Sequence, residues 1–122
     1  VVDEVVDVIV PLLRDGFGNP SSQHAYGVAA REAVVRARGE VAELIGARAD
    51  EVLFTSGGTE STNTAIKGLA FAALREPASR RRIVISAIEH PATVETARAL
   101  ERFGFEVVLV GVDRQGTLDL EA

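Results

Sequence analysis

Three short runs rich in β-branched and aromatic residues, "EVLFT" (51–55), "RIVISA" (82–87) and "EVVLVGV" (106–112), are set apart by stretches of helical periodicity. Such runs read as strands, and strands that alternate with helices of a dozen or more residues demand an α/β fold with a largely parallel sheet and right-handed crossovers. The helical stretches are legible one by one. Val5, Val6, Ile9, Leu12 and Leu13 recur at three and four residues between Asp3 and Arg14, with Pro11 placed to kink the helix or remove one of its hydrogen bonds. Ala30, Val34, Ala37, Val41, Leu44 and Ile45 make a second stripe over 25–45, which Gly46 should end. Ile66, Leu69, Ala70 and Ala73 mark a third over 59–74. "HPATVETARALERFG" makes a fourth, with Pro91 suited to its first turn and Gly104 to its end. The loop "DGFGNPSSQHAYG" precedes the second helix, with Ser21 and Ser22 as cap candidates; Pro77 and the following arginines read as a solvated connector, and "DRQG" as a turn.

The 122 residues are 47% hydrophobic but hold only five Phe, one Tyr and no Trp, so the core must be aliphatic and amounts to one domain or part of one. Thirteen basic against eighteen acidic residues leave a net charge of -5, and Arg80, Arg81 and Arg82 are the only dense basic run. Nothing there resembles a nucleic-acid footprint. With no Cys, disulfides and thiolate metal sites are excluded, and no metal site is expected. The apolar start "VVDEVVDVIVPLL" carries acids where a signal peptide carries positive charge, and no apolar run approaches bilayer-spanning length, so a soluble, cytoplasmic protein without membrane contact is expected. The chain starts without Met and stops at "LDLEA", where a new element is opening, and it reads as a piece of something longer.

Parallel sheets bind ligands at the carboxyl ends of their strands. Two candidates fall there. In "TSGGTESTNT" (55–64) a strand, a glycine pair and a helix opening with Thr59 form an anion trap: first-turn N–H groups lack intrahelical partners, and the helix dipole adds partial positive charge. Gly57 and Gly58 permit close approach, and the hydroxyls of Ser56, Thr59 and Ser61 can add donors, so phosphate is the natural guest. Neither G-x-x-x-x-G-K nor G-x-G-x-x-G is present. The competing reading is a plain helix cap after a tight turn. His90 is the second candidate, just beyond a buried strand at the mouth where the glycine loop should open; a lone His is otherwise most often structural. His24 reads as a loop-bracing or solvated residue. Lys67, the only lysine, lies about 12 Å along the helix from Thr59 and reads as a solvated residue pointing away from that mouth.

Taken in order, "FGNPSSQHAYG", "VLFTSGGTESTNTAIKG" and "EHPATVETARALERFGFEVVLVGVDRQGTLDL" resemble the amino-terminal part of the large domain of cysteine desulfurases, class V members of the pyridoxal-phosphate aminotransferase superfamily. The match covers nearly the whole chain. It implies residues 1–122 are amino-terminal helices plus the first part of a cofactor-binding large domain: a single, incomplete fold type I domain with alternating helices, mainly parallel strands and an incomplete sheet. It also implies a homodimer that takes sulfur from L-cysteine, leaves L-alanine and passes a persulfide to an acceptor such as an iron–sulfur scaffold or a tRNA-modifying enzyme. By the resemblance, Gly58 and Thr59 bind the phosphate of pyridoxal 5'-phosphate, and His90 stacks on its ring and assists proton transfer. The "NPSSQH" loop corresponds to a segment near the substrate entrance, with no catalytic step assigned to Asn19 or His24.

The same resemblance places the Schiff-base lysine, the acidic partner of the pyridine nitrogen and the persulfide cysteine beyond Ala122, and a strand with an Asn-Ala-Ala-Thr-like signature ahead of the first helix. It separates the first strand from the other two by strands that come later in sequence. The 122 residues alone are therefore expected to be catalytically silent and to expose apolar edges. Two alternatives stay open: another class V enzyme, such as a selenocysteine lyase or an aminotransferase, and a cofactor-free scaffold that keeps the loop as a helix cap.

Overall fold

The computed structural model describes residues 1–76 and 80–119. Pro77 of the connector and the end of "LDLEA" lie outside the described residues. The chain divides into two compact units, Val1–Phe54 and Thr55–Ala122.

In the first unit, α1 spans Asp3–Asp15. Asp3 and Glu4 in its first turn and Arg14 in its last oppose the helix dipole, and the helix continues through Pro11. Helix α2 spans Ala25–Ile45 and buries Gly27, Ala30 and Ala42. Its cap differs from expectation. The turn at Asn19–Ser22 is closed by Asn19, whose side chain accepts the Ser21 N–H at 2.9 Å and whose carbonyl accepts that of Ser22 at 2.9 Å. The chain therefore reaches helical geometry only at Ala25, and His24 becomes the cap, its Nδ1 accepting the Gly27 N–H at 3.3 Å. Gly27 must be glycine, because a Cβ there would stand 2.5 Å from the Ser22 carbonyl oxygen and 2.7 Å from that of Asn19. At the other end Gly46, the glycine expected to stop this helix, adopts φ 67° and donates to Glu43 while Ala47 donates to Ala42, a Schellman arrangement.

The first expected strand does not form. Ala49–Glu51 is a 3-10 turn, and Val52 is extended at φ -97°, ψ 120°, but residues 52–55 pair with no strand among the described residues. A β-branched run records a preference for extended backbone, whereas a strand also needs a hydrogen-bonded neighbour.

In the second unit, α3 (Gly58–Ala73) precedes β1 (Arg82–Ser86), α4 (Pro91–Leu100) and β2 (Glu106–Val110). The two strands pair in parallel, from Arg82 opposite Glu106 to Ser86 opposite Val110, with α4 as the crossover that parallel pairing requires. Arg82 and Glu106 reinforce the first rung with an exposed ion pair at 2.8 Å. The core joins α3, α4 and β1: Ala70, Leu100 and Phe105, the last just ahead of β2, are buried, with Ile66, Ala73, Leu74 and Ile83 packed around them. Gly104 takes φ 83° after the 3-10 turn Glu101–Phe103, turning the chain into β2. The turn expected at "DRQG" is present, with Gly116 at φ 83° and the Asp113 carboxylate accepting the N–H groups of Gln115 and Thr117 at 2.8 and 2.9 Å. Those bonds, that from Thr117 foremost, hold the Asp113 carboxyl below its ordinary range. The α/β reading stands, as a helix-rich fold around two parallel strands. Among the described residues no helix is long and apolar enough to cross a membrane.

Candidate cofactor site

The glycine loop is held by its own hydroxyls. Thr55 Oγ1 donates to the Gly57 carbonyl at 3.2 Å and lies 2.6 Å from Ser61 Oγ; with its one proton committed, the Ser61 hydroxyl is the donor of that second bond. Ser56 gives both its N–H and its hydroxyl to the Glu60 carboxylate, at 2.7 and 2.6 Å. These bonds, the hydroxyl's above all, lower the Glu60 carboxyl from its ordinary value. Ser56 and Ser61 are thus spent on the loop rather than available to a ligand. The Thr59 hydroxyl alone of the three has no partner among the described residues, although the Thr59 carbonyl accepts Asn63 Nδ2 at 3.0 Å.

The first backbone N–H of α3 returned to the loop is that of Ser61, bonded to the Gly57 carbonyl at 3.0 Å. The amides of Gly58, Thr59 and Glu60 precede it and have no intrahelical acceptor. A Cβ built on Gly57 or Gly58 would meet nothing within 4 Å, so the backbone face at this helix end is uncovered.

His90 stands at the carboxyl end of β1. Ala87 N–H continues the ladder to the Val110 carbonyl at 2.8 Å, and the turn through Ile88 and Glu89 is tied back to Ser86. His90 then caps α4: its Nδ1 accepts the Ala92 N–H at 3.1 Å, and Pro91 occupies the first turn. The imidazole lines the same cleft as Thr59. A pocket of about 300 Å³ runs between Gly58, Thr59 and Thr62 on α3 and His90 and Ala92 on α4. A groove of about 480 Å³ extends from it between the two helices, past Asn63 and Lys67 on one wall and Glu95 and Thr96 on the other.

The two sequence candidates, Gly58–Thr59 and His90, therefore meet in one cleft. Lys67 requires a correction. It is half-buried and lines the groove, because Thr59, Asn63 and Lys67 are spaced by four and fall on one face of α3. Glu60 is the residue that sequence reasoning missed; its signal was a glutamate in a helix's first turn four residues after a serine, close to a capping box. His24 and Asn19 act as the loop braces described above. Among the described residues no three His, Cys, Asp or Glu gather as a metal site.

The sequence profile of the class-V aminotransferases matches residues 1–122. The chain belongs to the class V aminotransferase family. Within it, the chain is 47% identical over 116 residues to the cysteine desulfurase IscS of Dictyoglomus turgidum, covering 95% of this chain and 29% of that one. A solved NifS-like protein superposes with a TM-score of 0.83 at 36% identity, over 99% of this chain and 32% of that one. A second solved structure, SspA in complex with cysteine, gives a TM-score of 0.75 at 38% identity over 92% of this chain and 32% of its own. The chain thus spans about three tenths of the length of the relatives it matches. Class V aminotransferases and cysteine desulfurases are pyridoxal-phosphate-dependent enzymes of fold type I, and the fold described here is part of theirs.

The residues present fit that cofactor's phosphate. A phosphate needs several donors converging on one point and room to approach the backbone. The three unpaired amides of α3, the uncommitted Thr59 hydroxyl and the open face over Gly57 and Gly58 meet both needs.

Proposed function

We propose that residues 1–122 are the amino-terminal helices and the first part of the cofactor-binding large domain of a cysteine desulfurase, which takes sulfur from L-cysteine and leaves L-alanine. The observation that carries this reading is the meeting of Thr59 and His90 in a single cleft at the amino-terminal end of α3. Its support beyond geometry is the run of cysteine desulfurases among the relatives and a solved relative in complex with cysteine.

In this reading the Gly58 and Thr59 amides and the Thr59 hydroxyl grip the phosphate, helped by the partial positive charge at the helix end. Bound there, pyridoxal phosphate supplies an electron sink for charge developing at the substrate's α-carbon. His90 covers the ring and sets a ring nitrogen beside the reacting atoms. Lys67 sits two turns down the groove from Thr59, so the covalent anchor for the cofactor belongs to the rest of the enzyme. The same proposal includes a cytoplasmic homodimer and a persulfide handed to an acceptor such as an iron–sulfur scaffold or a tRNA-thiolating enzyme. The 122 residues by themselves are inactive.

The test uses the full-length protein that contains this chain. It should purify with a visible absorption band that borohydride abolishes, and it should release alanine from cysteine. A colourless protein that takes up no pyridoxal phosphate overturns the proposal; a coloured one that transfers amino groups without releasing alanine overturns the desulfurase assignment alone.

A further inference from the structure

His90 has two ring nitrogens, and α4 has already claimed one of them. The Ala92 N–H points at Nδ1 from 3.1 Å. Turning the ring over would put a carbon against that N–H, and carbon cannot accept, so the acceptor is fixed as Nδ1. An Nδ1 that accepts carries no proton, and in a neutral imidazole the proton then resides on Nε2. The cap is also part of the fold: the His90 carbonyl accepts the Thr93 N–H at 2.8 Å, and Pro91 presets the first turn, so the imidazole is held at the helix end from both sides of its own residue.

We infer that the amino-terminal turn of α4 is a positioning device that locks His90 in its Nε2–H tautomer, so that the ring presents a hydrogen-bond donor, and no basic nitrogen, to the cleft it shares with Thr59. The chemical consequence is specific and rests on the cofactor reading above. With the cap in place, the only lone pair of the neutral ring is turned to the Ala92 amide. Nε2–H can donate a hydrogen bond to a ligand or substrate atom, but giving up that proton outright would leave an imidazolate. Accepting a proton requires Nδ1 to leave Ala92. Proton uptake by His90 is therefore coupled to opening the first turn of α4, and a capped His90 works by donation. The charged groups sharing the groove are Lys67 from α3 and Glu95 from α4, and neither bonds to the ring.

Histidine-selective ¹⁵N labelling of the full-length protein tests this. Long-range ¹H–¹⁵N correlation reads the two ring nitrogens separately, and subtraction of the His90→Asn spectrum identifies the His90 signals. A proton-free Nδ1 beside a protonated Nε2 is expected, with or without added pyridoxal phosphate. A protonated Nδ1, or exchange between the two tautomers, overturns the inference. The cap is tested separately by melting. His90→Asn keeps a side-chain acceptor and should hold the wild-type midpoint, whereas His90→Ala should lose on the order of 2 °C. Equal melting of the two variants overturns the inference as well. None of these readouts uses turnover, so a protein that failed to bind pyridoxal phosphate would end the functional proposal and leave the tautomer result standing.

Discussion

Glu60 holds Ser56 at two points, taking its backbone N–H at 2.7 Å and its hydroxyl at 2.6 Å. The clasp pulls a negative carboxylate toward the loop at the very helix end where the proposed phosphate site lies. Because both bonds favour the charged carboxylate, the carboxyl titrates below its ordinary value of 4.5 in the folded protein. A depressed folded value means that the clasp contributes fully above about pH 4.5 and is lost as the pH falls through the lower folded value. Glu60→Gln should therefore loosen the loop at neutral pH and flatten its acid response below pH 4.5, read by hydrogen exchange at Ser56 and Gly57. A variant with the same exchange and the same acid profile as the wild type would show that the clasp does not order the loop.

The proposed phosphate grip separates into backbone and side-chain parts. Gly58→Ala keeps the N–H, and its methyl meets no protein atom within 4 Å, so α3 should stay formed and the variant reads only the room a phosphate needs at the backbone. Gly58→Pro suits the first helical position and should leave α3 formed, yet it deletes one donor. Thr59→Ala deletes the hydroxyl. The last two should each weaken retention by about 1 to 3 kcal/mol, the cost of a lost charge-assisted hydrogen bond. Equilibrium dialysis of pyridoxal phosphate from the full-length variants measures this, and equal retention in all three would remove the α3 terminus from the phosphate site.

Among the described residues Leu100 is the largest fully buried side chain, at 1% exposure, and it joins α4 to Ala70 of α3 and Phe105 before β2. Leu100→Ala should cost about 2 to 5 kcal/mol in denaturant titration of the full-length protein, the range for a cavity that neighbours cannot fill. A loss under about 1 kcal/mol would mean that α3 and α4 collapse onto the vacated space.

Elements that carry their own punctuation were legible in the sequence. Gly46 and Gly104 stop their helices because each adopts positive φ, and Pro91 opens α4 because its missing N–H is one the helix does not need. That the glycine loop and His90 would share one cleft was legible for a related reason: each stands at a helix's amino end, His90 also at the carboxyl end of β1, and local chemistry marks such junctions. What depends on a neighbour was not legible. The run at 51–55 has strand composition and no strand partner among the described residues, and the choice of His24 over Ser21 or Ser22 as a cap was made by the Asn19 turn upstream. Lys67 shows a third limit. Its distance along α3 argues against a role beside the phosphate, while the four-residue spacing from Thr59 through Asn63 keeps it on the groove's wall.

Both histidines of this chain close helix ends through Nδ1. That shared duty bears on how such sequences drift once their chemistry is no longer selected. A lineage that lost catalysis would still be under pressure to keep His90, or to replace it with Asn, Asp or Ser, because α4 needs an acceptor there. A histidine retained at this position is a poor witness for activity, whereas the unspent hydroxyl of Thr59, which supports nothing in the fold, is free to disappear and so testifies better.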